Sequence, residues 1–203
     1  MSQKAKQRAR THHALLRALQ AELLKNRRLT VEAVATRARV NKALVYRYFG
    51  GLPGLIAAFA ASDEFMPGAE ELRHLCGEEI GSRSPRERFI LCIQAYVKAL
   101  ERRPATVQLL LRLPAMPSET LEALADGRAR ALEQIRQLFG QQEIAPNYDR
   151  ELAFNLLISG ICQLLGSRHD SWTRGTVALE DISQRIIEAI GAMLLKDQPA
   201  RPA

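Results

Sequence analysis

The run Lys42–Phe49, KALVYRYF, gathers an ammonium group, a guanidinium and two phenols into eight residues. None of these makes a catalytic pair. They are instead side chains that meet polyanions. An arginine fork matches the O6 and N7 edge of guanine, and tyrosine hydroxyls bond phosphates. Other candidate chemistry fails on spacing. His12-His13 lies in a basic stretch with no acidic or Cys partner at metal-ligand spacing. His169-Asp170 has Ser167 and Ser171 close by, but no G-x-S-x-G turn exposes a nucleophile. Glu70-Glu71 and Glu78-Glu79 are adjacent pairs, which point to different faces of a helix. GGLPG (50–54) lacks the Lys-Ser/Thr ending of a phosphate loop. The sequence therefore predicts no catalytic residue, no metal ligand and no cofactor, and hence a protein that is not an enzyme.

Two short elements must position the KALVYRYF run. Thr30 is an N-cap candidate for a helix in which Val31, Val34, Ala35 and Ala38 recur at i, +3, +4 and +7. A turn at Ala38-Arg39-Val40-Asn41 follows, and Asn41 is an N-cap candidate for a second helix from Lys42 to about Phe49. At about 100° per residue, taking Val45 as the buried pole puts Phe49 about 40° away. Ala43 and Arg47 then lie about 160° away, with Leu44 and Tyr46 flanking at about 100°. The outward side offers a small residue, a guanidinium, a phenol and an aliphatic tip that suits a thymine methyl. Two helices joined by a tight turn in basic surroundings read as a helix-turn-helix. The plainer reading is a helical hairpin with a basic face.

Charge separates this segment from the rest. The 203 residues carry a formal net charge of +7. Residues 1–50 hold twelve Lys/Arg and two acids, a net +10, and the other 153 residues hold 17 basic and 20 acidic side chains, a net −3. A basic head on a mildly acidic body implies a polyanionic partner for the head. Apolar residues make up 47% and aromatics 5%, so the chain has enough to bury and leans towards helix. Cys76, Cys92 and Cys162 form neither a disulfide framework nor a CxxC knuckle, and read as reduced thiols of a cytoplasmic protein. The start has no apolar core of a signal peptide, and the longest uncharged run, Leu152–Ser167, is too short and polar for a membrane span.

The segment TVEAVATRARVNKALVYRYFGGLPGL resembles the DNA-binding head of the TetR (tetracycline repressor) family of transcriptional regulators. Thr30, the Ala35–Ala38 spacing, Val40, Asn41-Lys42 and Val45-Tyr46-Arg47-Tyr48-Phe49 carry the likeness. With the preceding helix, Thr11 to Lys25, it covers about 45 residues. The resemblance implies that Thr30 and Asn41 cap their helices and touch phosphates. Lys42, Ala43, Leu44 and Arg47 would enter the major groove, and Tyr46 and Tyr48 would brace the DNA backbone. Three positions depart from the family's habit. Arg39 stands where a turn Gly is usual, Leu52 where many members have Lys, and KNRRL (25–29) is a short link without Gly.

Beyond the head, helical stripes recur. Phe89, Cys92, Ile93, Tyr96, Val97 and Leu100 mark one face between Pro85 and Pro104. Further helical segments are Thr106–Leu113, a stripe from Leu121 to Phe139, the strongly apolar Leu152–Leu165, and Ile182–Leu194. No strand run appears. The expected fold is all-α: a three-helix helix-turn-helix DNA-binding domain at 1–52 and a larger helical effector-binding and dimerisation domain at 53–203. One recognition helix reads few base pairs, so a homodimer on a palindromic operator is expected. Its interface would use the last two helices, through Leu157, Gly160, Ile161, Leu164, Ile186 and Ile190. Tyr96, Gln108, Arg112 and Asn155 are candidates for the pocket of an unknown small-molecule effector. The expected function is a ligand-responsive repressor binding double-stranded operator DNA, with no membrane partner. The alternative is a sequence-nonspecific architectural DNA-binding protein.

Overall fold

A computed structural model describes residues 2–25, 27–113, 116–139 and 150–166. Among these the chain is helical and has no strand. The helices run α1 (Gln3–Leu23), α2 (Val31–Ala38), α3 (Ala43–Phe49), α4 (Leu52–Ala60), α5 (Ala69–Cys76), a 3-10 turn (Glu78–Ser82), α6 (Pro85–Glu101), α7 (Pro104–Leu111), α8 (Ser118–Phe139) and α9 (Arg150–Gly166). The chain divides into two compact units. One is Met1–Met66 with Arg103–Ala131, and the other is Pro67–Arg102 with Leu132–Ala203.

The first unit is built on α1. Leu15, Leu19 and Leu23 recur every four residues, the spacing of one helix face, and all are fully buried. They join Val34 of α2, Val45 of α3, and Leu55 and Phe59 of α4 in one core. Leu109 of α7 and Leu124 of α8 complete that core, so chain far downstream of the head helps to hold it. Polar ties follow the same route. The buried Thr106 hydroxyl donates to the Phe65 carbonyl at 2.6 Å, and Arg130 donates to the Ala60 carbonyl at the end of α4, at 3.1 Å. Phe59 and Phe65 meet edge to face, with ring centroids 5.4 Å apart. This is a favoured aromatic geometry.

The second unit contains α5, α6 and α9. Ser84 and Pro85 start α6 with a capping box. The Ser84 hydroxyl accepts from the Glu87 N–H at 3.3 Å, and the Ser84 N–H donates to the Glu87 carboxylate at 2.9 Å. The expected stripe of α6 is buried at Phe89, Cys92, Ile93, Tyr96 and Leu100.

Two features differ from the sequence reading. The first helix begins at Gln3, eight residues before the expected Thr11. QKAKQRAR is composed of strong helix formers but is exposed throughout, so it has no apolar rhythm to betray it. The helix α5 was not foreseen because it buries a single residue, Leu72. The expected Ile182–Leu194 helix, with Ile186 and Ile190, lies outside the described residues.

Candidate nucleic-acid interface

Each end of the helix-turn-helix is fixed by a local bond. The Thr30 hydroxyl oxygen accepts from the Ala33 N–H at 3.2 Å and starts α2. At its other end Arg39 is left-handed, φ 56° and ψ 42°, and its N–H donates to the Ala35 and Thr36 carbonyls. The Val40 N–H bonds the Ala35 carbonyl at 3.0 Å, and the chain turns sharply. Asn41 Oδ1 accepts from the Ala43 N–H at 2.8 Å. The second helix therefore begins at Ala43, with Lys42 as its cap. Gly50, also left-handed at φ 73°, closes α3 with an N–H bond to the Tyr46 carbonyl.

Arg39 is the single non-glycine residue with positive φ among those described. The left-handed region costs an ordinary side chain about 1–2 kcal/mol. Arg39→Gly should therefore stabilise the protein by about 1 kcal/mol, seen as a melting rise of about 2–4 °C. Arg39→Ala keeps the strain and should give no such gain. Thermal denaturation of the two variants checks this.

On α3, Val45 is fully buried, and Phe49 is partly buried with its ring 4.5 Å from that of His12. Asn41, Lys42, Ala43, Tyr46 and Arg47 face solvent, and Leu44 and Tyr48 are half-buried. The arrangement adds a partner that the sequence did not suggest. The Arg47 guanidinium lies 4.9 Å over the Tyr48 ring and donates to the Tyr48 hydroxyl at 3.0 Å. Arg8 of α1 lies 5.6 Å from the same ring. Such contacts are each worth about 0.5–1 kcal/mol at exposed sites, so they orient Arg47 without immobilising it. Arg8 enters because α1 extends back to Gln3.

Glu22, near the end of α1, is one of the two acids in the first fifty residues. It is buried, and it bonds Lys25 at 2.7 Å, Arg27 at 2.6 Å and Arg37 at 2.5 Å. Burial pushes its carboxyl up, but the bonds from Arg37, Lys25 and Arg27 outweigh this and hold it at about 2. Glu22 thus fastens the end of α1 and the following link to α2. It also occupies three of the twelve cations that the charge count assigned to the head. A buried acid near a helix C-terminus is unfavourable alone, a hint that partners were needed.

The other candidates fall in both compact units. Arg112, just beyond α7, donates to the carbonyls of Leu23 at 2.9 Å and Lys25 at 2.7 Å, and so satisfies the exposed end of α1. Gln108 is half-buried on α7. Tyr96 is fully buried in α6, in the other compact unit, and Asn155 is on α9 of that same unit. Also on α9 are Leu157, Gly160, Ile161 and Leu164. Gly160 is exposed, and Ile161 is buried within the single chain.

Residues 27–59 match the family model described as bacterial regulatory proteins, tetR family. No curated protein matches the chain. Among solved structures, one similar in fold is a TetR transcriptional regulator from Rhodococcus sp. RHA1, at 19% identity and a TM-score of 0.55, covering 96% of this chain and 99% of that one. Another is a tetR-family transcriptional regulator from Streptomyces coelicolor, at 16% identity and a TM-score of 0.53, covering 88% of this chain and 80% of that one.

Proposed function

We propose, for a chain that belongs through its residues 27–59 to the tetR family of bacterial regulatory proteins, the role of a cytoplasmic, homodimeric, ligand-responsive repressor on a palindromic operator. Binding DNA to regulate transcription is the family's work. The finer reading rests on one observation above all. The solvent side of α3, with Lys42, Ala43, Tyr46 and Arg47, is carried on a helix whose two ends are capped and whose other side is locked into the core. A preorganised helix of this kind suits base readout in the major groove.

Arg47 and Lys42 have separable roles in this reading. Arg47→Ala should relax preference at one base position and cost about 1–3 kcal/mol. Lys42→Ala should weaken all sequences alike and lower the salt slope by about one. Titrations on operator and random duplexes at several salt concentrations distinguish them.

Two half-sites require two chains. One side of α9 is open at Leu156, Ser159, Gly160 and Gln163, while Ile158, Ile161 and Cys162 are buried within the chain. Leu156 is 65% exposed. A large aliphatic beside a glycine on an open side supports a helix-to-helix dimer contact there. An effector that favours a different spacing of the two heads would lower operator affinity by the coupling free energy.

Selection of bound sites from random duplexes tests the whole reading. A palindromic consensus with half-sites one helical turn apart, or a multiple of it, is the expected result. Enrichment of no sequence over random DNA would replace it with the architectural role, which the exposed Lys4, Lys6, Arg8 and Arg10 of α1 could serve.

A further inference from the structure

Cys76 ends α5 and is half-buried, and Cys92 lies on α6 and is buried. Sixteen residues separate them in the chain, yet their sulfurs are 3.6 Å apart. We propose that these two thiols are a hydroperoxide-reactive pair that closes into a reversible disulfide joining α5 to α6. Cys76 is the attacking thiol, because it is the more accessible of the two. Cys92, directly behind it, is the resolving thiol.

Three observations support this. The sulfurs are already in contact, and a disulfide of about 2.0 Å requires them to close by roughly 1.6 Å. The movement falls at the end of a helix, next to Gly77, which has φ 87° and open space around it. The charge is also distributed to suit the chemistry. The hydrogen bond between the two sulfurs holds the Cys76 thiol below its usual range, while that same bond and burial push Cys92 up. Of the two sulfurs, the outer one is the easier to ionise, which suits it to attack.

The Cys76 thiolate attacks one oxygen of the hydroperoxide. The O–O bond breaks, Cys76 becomes a sulfenic acid, and the alkoxide leaves and takes a proton from solvent. The Cys92 sulfur then attacks the Cys76 sulfur as its own proton passes to the departing hydroxide. The S–S bond forms, the S–O bond breaks and water leaves. Two thiols have lost two electrons, and the hydroperoxide has become an alcohol and water. Cys162 is an internal reference. It is buried, and burial pushes its thiol up to about 12, so it should stay reduced.

The test treats the whole folded chain with one equivalent of hydrogen peroxide, followed by alkylation and peptide mapping. The expected product is a Cys76–Cys92 linked peptide, two hydrogens lighter than its parts, with Cys162 alkylated and the link reversed by dithiothreitol. Cys92→Ser should leave a sulfenic acid on Cys76 that dimedone captures. Cys76→Ser should slow thiol loss by about tenfold or more. The proposal is overturned if the linked peptide is absent from oxidised wild-type protein, or if Cys162 is consumed as fast as Cys76. It is equally overturned if Cys76→Ser oxidises at the wild-type rate. This chemistry is independent of whether α3 meets DNA.

Discussion

Gly54→Ala is expected to unfold or splay the head. A Cβ at this position would lie 1.7 Å from the Phe49 carbonyl oxygen and 2.9 Å from its carbonyl carbon. Both partners are backbone, so no rotamer change relieves the clash. The elbow between α3 and α4 must open, and α3 is the helix that carries Arg47. The cost should be about 3 kcal/mol or more, beyond ordinary overpacking. At about 2–4 °C per kcal/mol, the melting temperature should fall by about 6–12 °C. DNA affinity should fall with it, even at temperatures where the variant stays folded. Gly81→Ala is the control, since nothing lies within 4 Å of its would-be side chain. It should remain within about 0.5 kcal/mol of wild type. A Gly54→Ala protein with wild-type melting and binding would refute the elbow.

The second large effect is expected from Glu22→Gln. A buried acid with three cationic partners is costly to break, because burial has already been incurred for the group. Loss of one side of such a pair costs about 3–5 kcal/mol. The lower end applies here, since Lys25, Arg27 and Arg37 are partly exposed and are rehydrated when released. The pH dependence has a definite sign. The folded carboxyl is held at about 2, below its ordinary value of 4.5. The unfolded chain therefore takes up the proton first as the medium turns acidic. The contribution is fully present above about pH 5 and is lost progressively as pH falls towards 2. Glu22→Gln should lower stability at neutral pH and flatten the acid limb of the stability curve. Denaturant titrations between pH 2 and 7 measure both.

How much of this was legible in the sequence follows from what each signal records. Apolar periodicity reports burial, so it located α2, α6 and α7, whose apolar residues pack into cores, and α8, which buries Leu124. It missed the Gln3–Arg10 part of α1 and all of α5, because a helix with little or nothing to bury leaves no rhythm. Thr30 was readable as a cap because short polar side chains at helix starts have few other uses, whereas Asn41 bonds the start of α3 from one residue ahead of the cap position, Lys42. The solvent side of α3 followed from the 100° wheel alone. Long-range partners were not readable. Nothing local to Arg112 announces the carbonyls of Leu23 and Lys25, and nothing local to Cys76 announces Cys92. Gly54 entered only as part of a GGLPG run that is no phosphate loop, although its role is the close passage of a neighbouring backbone. The count of twelve basic residues also overstated the cations free to meet phosphate, because Glu22 holds three of them.

The bond from Arg112 to the last turn of α1 has a consequence for anyone wishing to graft this head onto another protein. A cassette cut after Met66 would strand the carbonyls of Leu23 and Lys25 and strip Ala105, Leu109 and Leu124 from beneath the helices they seal. The portable piece is discontinuous. A chimera that keeps α3 in place must import Arg103–Ala131 along with Met1–Met66, spliced across whatever replaces the intervening chain.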